Sequence, residues 1–284
     1  MAAQNLILNK LFTQAVFQNL LDGNNNVTYT QVVRRYVTDP EAKNNGELIS
    51  EVYNFMSTSY RNEYFYQNTL LNKLLLGKHS INTTTALTQI PIGKSKADFI
   101  LINGKAVVYE IKTELDSFER LDTQLRDYYK AFNHVCVVTS ASNFTKISTV
   151  LRDTPVGIYV LTKKNTISKR LRKEPTEDNS QLNHLAIFKA LHKREYEQIL
   201  KKFFGRLPVT SQVFYYDECF SWFVKIPVEQ AYAMSIQELK KRNKIEAGFY
   251  QSVPYELKSL IYFSNPVKKE FEALNRFLNQ KFGG

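Results

Sequence analysis

A chain of 284 residues, 43% of them apolar, can bury one large core or two modest ones, which excludes a disordered chain. Its formal charge of +11 points to a polyanionic partner or serves solubility alone. The two cysteines, Cys136 and Cys219, have neither metal-ligand spacing nor the makings of a disulfide framework, which fits a reducing cytoplasm. No run approaches the ~18–20 apolar residues of a membrane span, and the opening MAAQNLILNKLF lacks the basic and apolar regions of a signal peptide. A cytoplasmic protein without a membrane partner is expected.

Apolar residues at Leu8, Leu11, Phe12, Ala15, Val16 and Leu20 predict a helix over 5–22, ended by Gly23. A second helix near 30–37 follows a polar turn. The pair reads as a DNA-reading motif or as an ordinary helical pair. A third helix is expected after Asp39-Pro40, with a break near 57–59. The next, over 60–76, carries a stripe of Leu70, Leu71 and Leu74 that continues back through Gln67 to Glu63. Glu63 is then either a carboxylate on the sheet-facing side or a solvated first-turn acid favoured by the helix dipole. His79, beside Lys78 and Ser80, reads as a surface histidine. Residues 84–92 predict a strand. Lys94 and Lys96, in the link after it, could touch phosphate or be solvated.

Residues 97–112 organise the chain. Two apolar runs flank Asn103-Gly104, a strong hairpin signal, and each is apolar on both faces, as in a sheet covered on both sides. Asp98, Glu110 and Lys112 break the pattern at the end far from the turn. A strict two-residue loop would pair Asp98 with Tyr109 and set Asp98 and Glu110 on opposite faces. A three-residue loop closed by Gly104 in the left-handed region would pair Leu101 with Lys105 and Asp98 with Val108. Glu110 is then diagonal to Asp98 on one face, about 7 Å away, with Lys112 one step further along. Carboxylates so placed repel unless a proton or a cation intervenes, and their hard oxygens suit Mg²⁺ or Mn²⁺.

After Lys112, the acids Glu114, Asp116 and Glu119 could extend the metal site or form the solvated face usual for a charge run leading into a helix. A helix over 117–133 shows Leu121, Leu125, Tyr128 and Phe132 at core spacing, with Gln124 flanking them. Tyr128 and Tyr129 read as packing. A strand over 135–139, parallel to an earlier one, a helix over 143–152 and a strand over 157–162 complete the α/β pattern. Residues 163–181 read as a basic linker or loop. Between 161 and 206, twelve Lys or Arg, including Lys169, Arg170, Arg172 and Lys173, face five acids, a local charge of +7 available to backbone phosphates. Helices follow over 182–204, from a Ser235-to-Glu238 capping box, and over 253–263 and 267–282. The aromatic run 213–223 reads as core, partner-binding face or base-stacking platform. This divides the chain into a helical segment 1–58, a core 59–162, the linker, and a helical region 182–284 open to a protein partner or a second copy.

Asp98, then Glu110-Ile111-Lys112 across a hairpin, resembles the D…ExK signature of the PD-(D/E)XK nuclease superfamily, with Ala97 where the family name has proline. The likeness covers about residues 60–165 and is similar to a group of stand-alone bacterial members. It implies a restriction-endonuclease-like core of helix, three-stranded antiparallel meander, helix and parallel strand, with helical extensions at both ends. It further implies Mg²⁺ or Mn²⁺ held by Asp98, Glu110 and the Ile111 carbonyl, with Glu63 as a further acid. Lys112 would orient the attacking water or stabilise charge on phosphate, and Gln124 would approach the phosphate or the water. The expected activity is phosphodiester hydrolysis in DNA, with RNA open. Two other readings stand beside it: a non-catalytic nucleic-acid-binding or complex-forming protein on the same fold, and a structural salt bridge of Lys112 with Glu110 or Asp98.

Overall fold

The computed structural model describes residues 5–77, 81–242, 245 and 247–283. In chain order, the helices α1 (Leu8–Leu11), α2 (Gln14–Leu21), α3 (Val27–Tyr36), α4 (Asn45–Ser59) and α5 (Glu63–Leu70) come first, α5 passing into a π-helical turn, Leu71–Leu76. Strands β1 (Thr85–Leu87), β2 (Ile90–Ile92), β3 (Ser95–Ala97), β4 (Phe99–Asn103) and β5 (Lys105–Lys112) follow. Then come α6 (Leu121–Tyr129), β6 (Val135–Ser140), α7 (Phe144–Val150), β7 (Gly157–Leu161) and β8 (Ile167–Lys173). The chain ends in α8 (His184–Lys189), α9 (Lys193–Phe204), α10 (Tyr215–Phe223), α11 (Val228–Leu239), α12 (Ala247–Gln251), α13 (Lys258–Ser264) and α14 (Lys268–Asn279). This is an α/β chain with a mixed sheet and helices at both ends. Among the described residues no helix is long and apolar enough to cross a membrane.

The chain forms two compact units. The first comprises Met1–Lys78, Lys163–Thr166 and Lys244–Gly284 and is helical. Its helix starts follow side-chain caps. The Thr13 hydroxyl accepts the Val16 amide and splits the single helix expected over 5–22, Asn26 caps α3, and Asn44 with Glu47 forms a capping box at α4. A buried amide ties its helices together: Asn68 Nδ2 donates to the Tyr53 hydroxyl and the Tyr255 carbonyl, and its Oδ1 accepts the Ser259 amide.

The second unit, His79–Thr162 with Ile167–Asn243, holds the six-stranded sheet, in the order β1-β4-β5-β6-β7-β8. β4 runs antiparallel to both of its neighbours, β1 and β5, while β5, β6 and β7 run parallel, and β8 closes the edge antiparallel to β7. Every second residue (Ile100, Ile102, Ala106, Val108, Val135, Val137, Ile158, Val160) joins a core with Leu121, Leu125, Tyr128 and Phe132 of the α6 region and apolar residues of α8 to α11. The alternate set, including Phe99, Tyr109 and Val138, is buried as well, so the strands read as unbroken apolar runs.

Four expectations are corrected. Residues 84–92 are two strands, because the chain turns at Gln89 (φ +54°) and sends β2 into a separate hairpin with β3. Residues 163–181, expected as linker or loop, contain the edge strand β8. The helix expected over 182–204 breaks at Leu191, since Glu195 accepts the His192 amide and starts α9 afresh. Ser235 caps nothing: it lies buried inside α11 with its hydroxyl donating to the Ala231 carbonyl.

Candidate active site

The β4–β5 register decides whether the three ionisable residues meet. The observed pairs run from Asn103↔Lys105 through Ile102↔Ala106 to Phe99↔Tyr109. Gly104 sits at the turn with φ +73°, in the left-handed region that glycine tolerates. This is neither register expected from the sequence. The strict two-residue loop would have separated the acids. The three-residue alternative had the right parity but a turn displaced by one residue. The ladder ends at Phe99↔Tyr109, and Asp98, at the bend between β3 and β4, has the parity that keeps it on the Glu110 side, with its carboxylate bonded to the amide of Ile111, next to Glu110.

Glu110 is 1% exposed and Lys112 8%. The Lys112 ammonium stands 3.0 Å from Glu110 Oε1 and donates to Gln124 Oε1 at 2.8 Å. The Tyr128 hydroxyl lies 2.5 Å from Glu110 Oε2 and 2.8 Å from the Lys96 carbonyl, and with one proton it serves one of them at a time. Burial and then the Glu110 charge push the Tyr128 hydroxyl far above its ordinary pKa, so it remains a donor. Gln124 and Tyr128 are four residues apart, one turn of α6, which is why both reach the same pair of β5 side chains.

Asp98 Oδ2 accepts the Ile111 amide at 2.8 Å, just past the end of the paired ladder. The Val108 amide bonds the His134 carbonyl on the β6 side, so the alternate residues Tyr109 and Ile111 turn their main-chain groups toward β4. A strand residue directs its N–H and C=O to the same neighbour. The Ile111 carbonyl therefore emerges on the edge that Asp98 occupies. On the other side, Thr139 donates to the Lys112 carbonyl at 2.8 Å and closes that part of the strand.

Among the described residues no group of three or more His, Cys, Asp and Glu side chains is assembled to hold a metal. The donor set here is two carboxylates and a main-chain carbonyl. These hard oxygens fit Mg²⁺ or Mn²⁺, which keep several waters and take few protein ligands.

The remaining candidates divide. Lys94 and Lys96 are exposed on the β2–β3 hairpin, which runs into Asp98, and Lys169 and Arg170 are exposed on β8. Arg172 and Lys173 are engaged internally. The Arg172 guanidinium stacks on the Tyr159 ring at 4.3 Å and pairs with Glu174, while Lys173 Nζ donates to the Leu151, Arg152 and Thr154 carbonyls at the end of α7. Glu63 is the first residue of α5, in the other unit, behind the Asn62 cap. Glu114, Asp116 and Glu119 are exposed, and Asp116 accepts the amide and hydroxyl of Thr113 in the turn leaving β5. His79, Lys78 and Ser80 lie outside the described residues. Tyr128 packs in the core as expected, and its hydroxyl also holds Glu110; Asp127, not singled out from the sequence, holds the β2–β3 turn. The place of Tyr128 one turn after Gln124 was the available signal for the first, and nothing local marked the second.

The sequence model described as bacteriophage P4 protein cII matches residues 56–257, a span that takes in β1 to β8 and the whole candidate site. No curated protein and no solved structure matches the chain. By that match over most of its length, the chain belongs to the bacteriophage P4 protein cII family.

Proposed function

We propose that this protein is a metal-dependent nuclease that hydrolyses phosphodiester bonds in DNA, on a restriction-endonuclease-like core of PD-(D/E)XK type. The observation that carries the reading is the convergence of Asp98, bonded to the Ile111 amide, and Glu110, paired with the Lys112 ammonium, at one end of β5. Asp98, Glu110 and the Ile111 carbonyl would hold Mg²⁺ or Mn²⁺. When bound, such an ion lowers the pKa of water and neutralises charge on a phosphate.

The chain's own residues supply the rest. Gln124 and Glu110 take two of the three Lys112 protons and fix the ammonium, leaving a third to orient water or meet charge developing on a phosphoryl oxygen. Tyr128 holds Glu110 in one rotamer. Asp98 is held in place by the Ile111 amide. Exposed Lys94, Lys96, Lys169 and Arg170 would meet backbone phosphates, giving salt-sensitive binding with little sequence preference.

A second reading has its own observation. Glu110 is almost fully buried and already paired with Lys112, as a structural ion pair would be. In that case the chain is a binding or complex-forming protein on the same fold. The test is cleavage of linear and circular, single- and double-stranded DNA, and of RNA, with Mg²⁺, Mn²⁺ or EDTA. The native protein is compared with Asp98→Ala and Lys112→Ala. Metal-dependent cutting lost in both variants supports the nuclease. Nucleic-acid binding with a steep salt slope and no cutting under any condition transfers the conclusion to the binding protein.

A further inference from the structure

The β2–β3 hairpin is held more firmly than its size requires. Ile92↔Ser95 closes a two-residue turn at Gly93-Lys94, with Gly93 at φ +61°, a conformation typical of tight hairpins. Ile90, Ile92 and Ala97 face the core, while Pro91, Lys94 and Lys96 face outward. Beneath the turn lies the buried carboxylate of Asp127, on α6. Its Oδ2 accepts the Lys94 amide at 3.1 Å and the Ser95 hydroxyl at 2.9 Å, and its Oδ1 accepts Lys130 Nζ at 2.8 Å. A Cβ on Gly93 would stand 2.6 Å from Asp127 Oδ1, so the backbone approaches as closely as glycine permits. Hydrogen bonds from Lys130, Ser95 and the Lys94 amide outweigh the effect of burial and hold the Asp127 pKa below its ordinary value. The next residue, Tyr128, reaches the Lys96 carbonyl and Glu110.

Consecutive residues of one helix thus fix both the hairpin and the site. β3 leads directly into Asp98. At about 3.3 Å per residue, Lys96 stands about 7 Å before it along the strand direction, with Lys94 further back in the turn, on backbone tied to α6 by Asp127 and Tyr128. A flexible lysine loses side-chain freedom when it binds phosphate, and a fixed backbone limits that loss to the side chain itself. We propose that the β2–β3 hairpin is a phosphate-binding clamp for the DNA backbone flanking the site, with Lys94 and Lys96 as its cations and Asp127 as its positioning residue. The clamp deepens the nuclease reading and rests on it for its biological use, but it binds without cleavage and is testable without metal.

The measurement is the affinity of a short labelled DNA duplex in EDTA across a salt series. The Lys94→Ala, Lys96→Ala double variant should flatten the slope of log affinity against log salt by about 1.8, that is about 0.9 for each phosphate that a lysine no longer neutralises. Asp127→Ala should weaken binding severalfold in the native background, Asp127→Asn less, and Asp127→Ala should add nothing once both lysines are gone. Thermal melting of each variant accompanies the titrations. An unchanged slope in the double variant overturns the clamp, as does no measurable binding by the native protein. An Asp127→Ala loss equal in both backgrounds also overturns it, by showing a merely structural role. Mg²⁺-dependent cutting by the native protein is scored in parallel. Cutting with an unaltered salt slope removes the clamp alone, whereas a flattened slope without cutting removes the nuclease and leaves the clamp.

Discussion

Replacing Lys112 by methionine separates a metal site from a structural ion pair. The substitution keeps the length of the side chain and removes the only ammonium bonded to Glu110 among the described residues. Two carboxylates about 5 Å apart would repel by about 3 kcal/mol at an effective dielectric near 20. Stranding one member of a buried pair costs about 3–5 kcal/mol. These are two descriptions of one loss, so the expected destabilisation without metal is about 3–4 kcal/mol, or roughly 6–16 °C at 2–4 °C per kcal/mol. A divalent cation on Asp98 and Glu110 would counter it: at ~100 times its Kd, Mg²⁺ contributes about 2.7 kcal/mol. Thermal unfolding of the native protein and of Lys112→Met, each in EDTA and in saturating Mg²⁺, measures both quantities. The expected result is a Mg²⁺ stabilisation in both proteins that recovers most of the methionine variant's deficit. A melting temperature indifferent to Mg²⁺ and Mn²⁺ in both would refute the metal site and leave an ion pair.

Three further outcomes follow from the same side chains. Tyr128→Phe removes the donor to buried Glu110 and should destabilise by about 1.5–3 kcal/mol in urea unfolding, the range for hydrogen bonds to charged groups. Lys173→Met should destabilise by about 1–3 kcal/mol by the same assay, since its ammonium bonds three carbonyls at the end of α7; an effect near zero would return Lys173 to the exposed cations. In acid, Asp127 and Glu195 act together. Burial raises each, but the bonds from Lys130 and Ser95 to Asp127, and from Arg242 to Glu195, leave both pKa values lowered in the folded chain. Their stabilisation is therefore present above the unfolded carboxylate range near pH 4 and lost as pH falls through the lower folded values. The pH dependence of unfolding should show that loss below about pH 4 and lose part of it in Asp127→Asn.

How far the sequence could be read depended on the range of the interaction that decided each feature. The β4–β5 hairpin was legible because Asn103-Gly104 and the two apolar runs are local signals, and the even parity that keeps Asp98 and Glu110 on one face was among the expected alternatives. The exact register was not, because it depends on where Gly104 turns the ladder and not on which residues favour strands. β8 was hidden by composition: ISKRLRK looks like solvated linker, and only pairing with β7, with Arg172 stacked on Tyr159, makes it a strand. The same pairing explains why Arg172 and Lys173 left the exposed basic set. Asp127 was invisible for a related reason, since its partners Lys94 and Ser95 lie more than thirty residues earlier in the chain.

One prediction bears on why the chain keeps two acids here at all. An ion pair needs one carboxylate for one ammonium, and Glu110 already fills that role for Lys112. Asp98 adds a second carboxylate at the same end of β5, bonded to the Ile111 amide. If its purpose is to hold a cation, it destabilises the metal-free protein, as functional groups commonly do. Asp98→Asn retains a carbonyl oxygen for the Ile111 amide and removes only the charge. In EDTA it should melt no lower than the native protein, since the charge that it removes lies near Glu110. In Mg²⁺ the order should reverse, because the variant gains nothing while the native protein is stabilised. A variant that melts below the native protein in EDTA, and responds to Mg²⁺ as the native protein does, would mean that the Asp98 charge serves the end of the β4–β5 ladder alone.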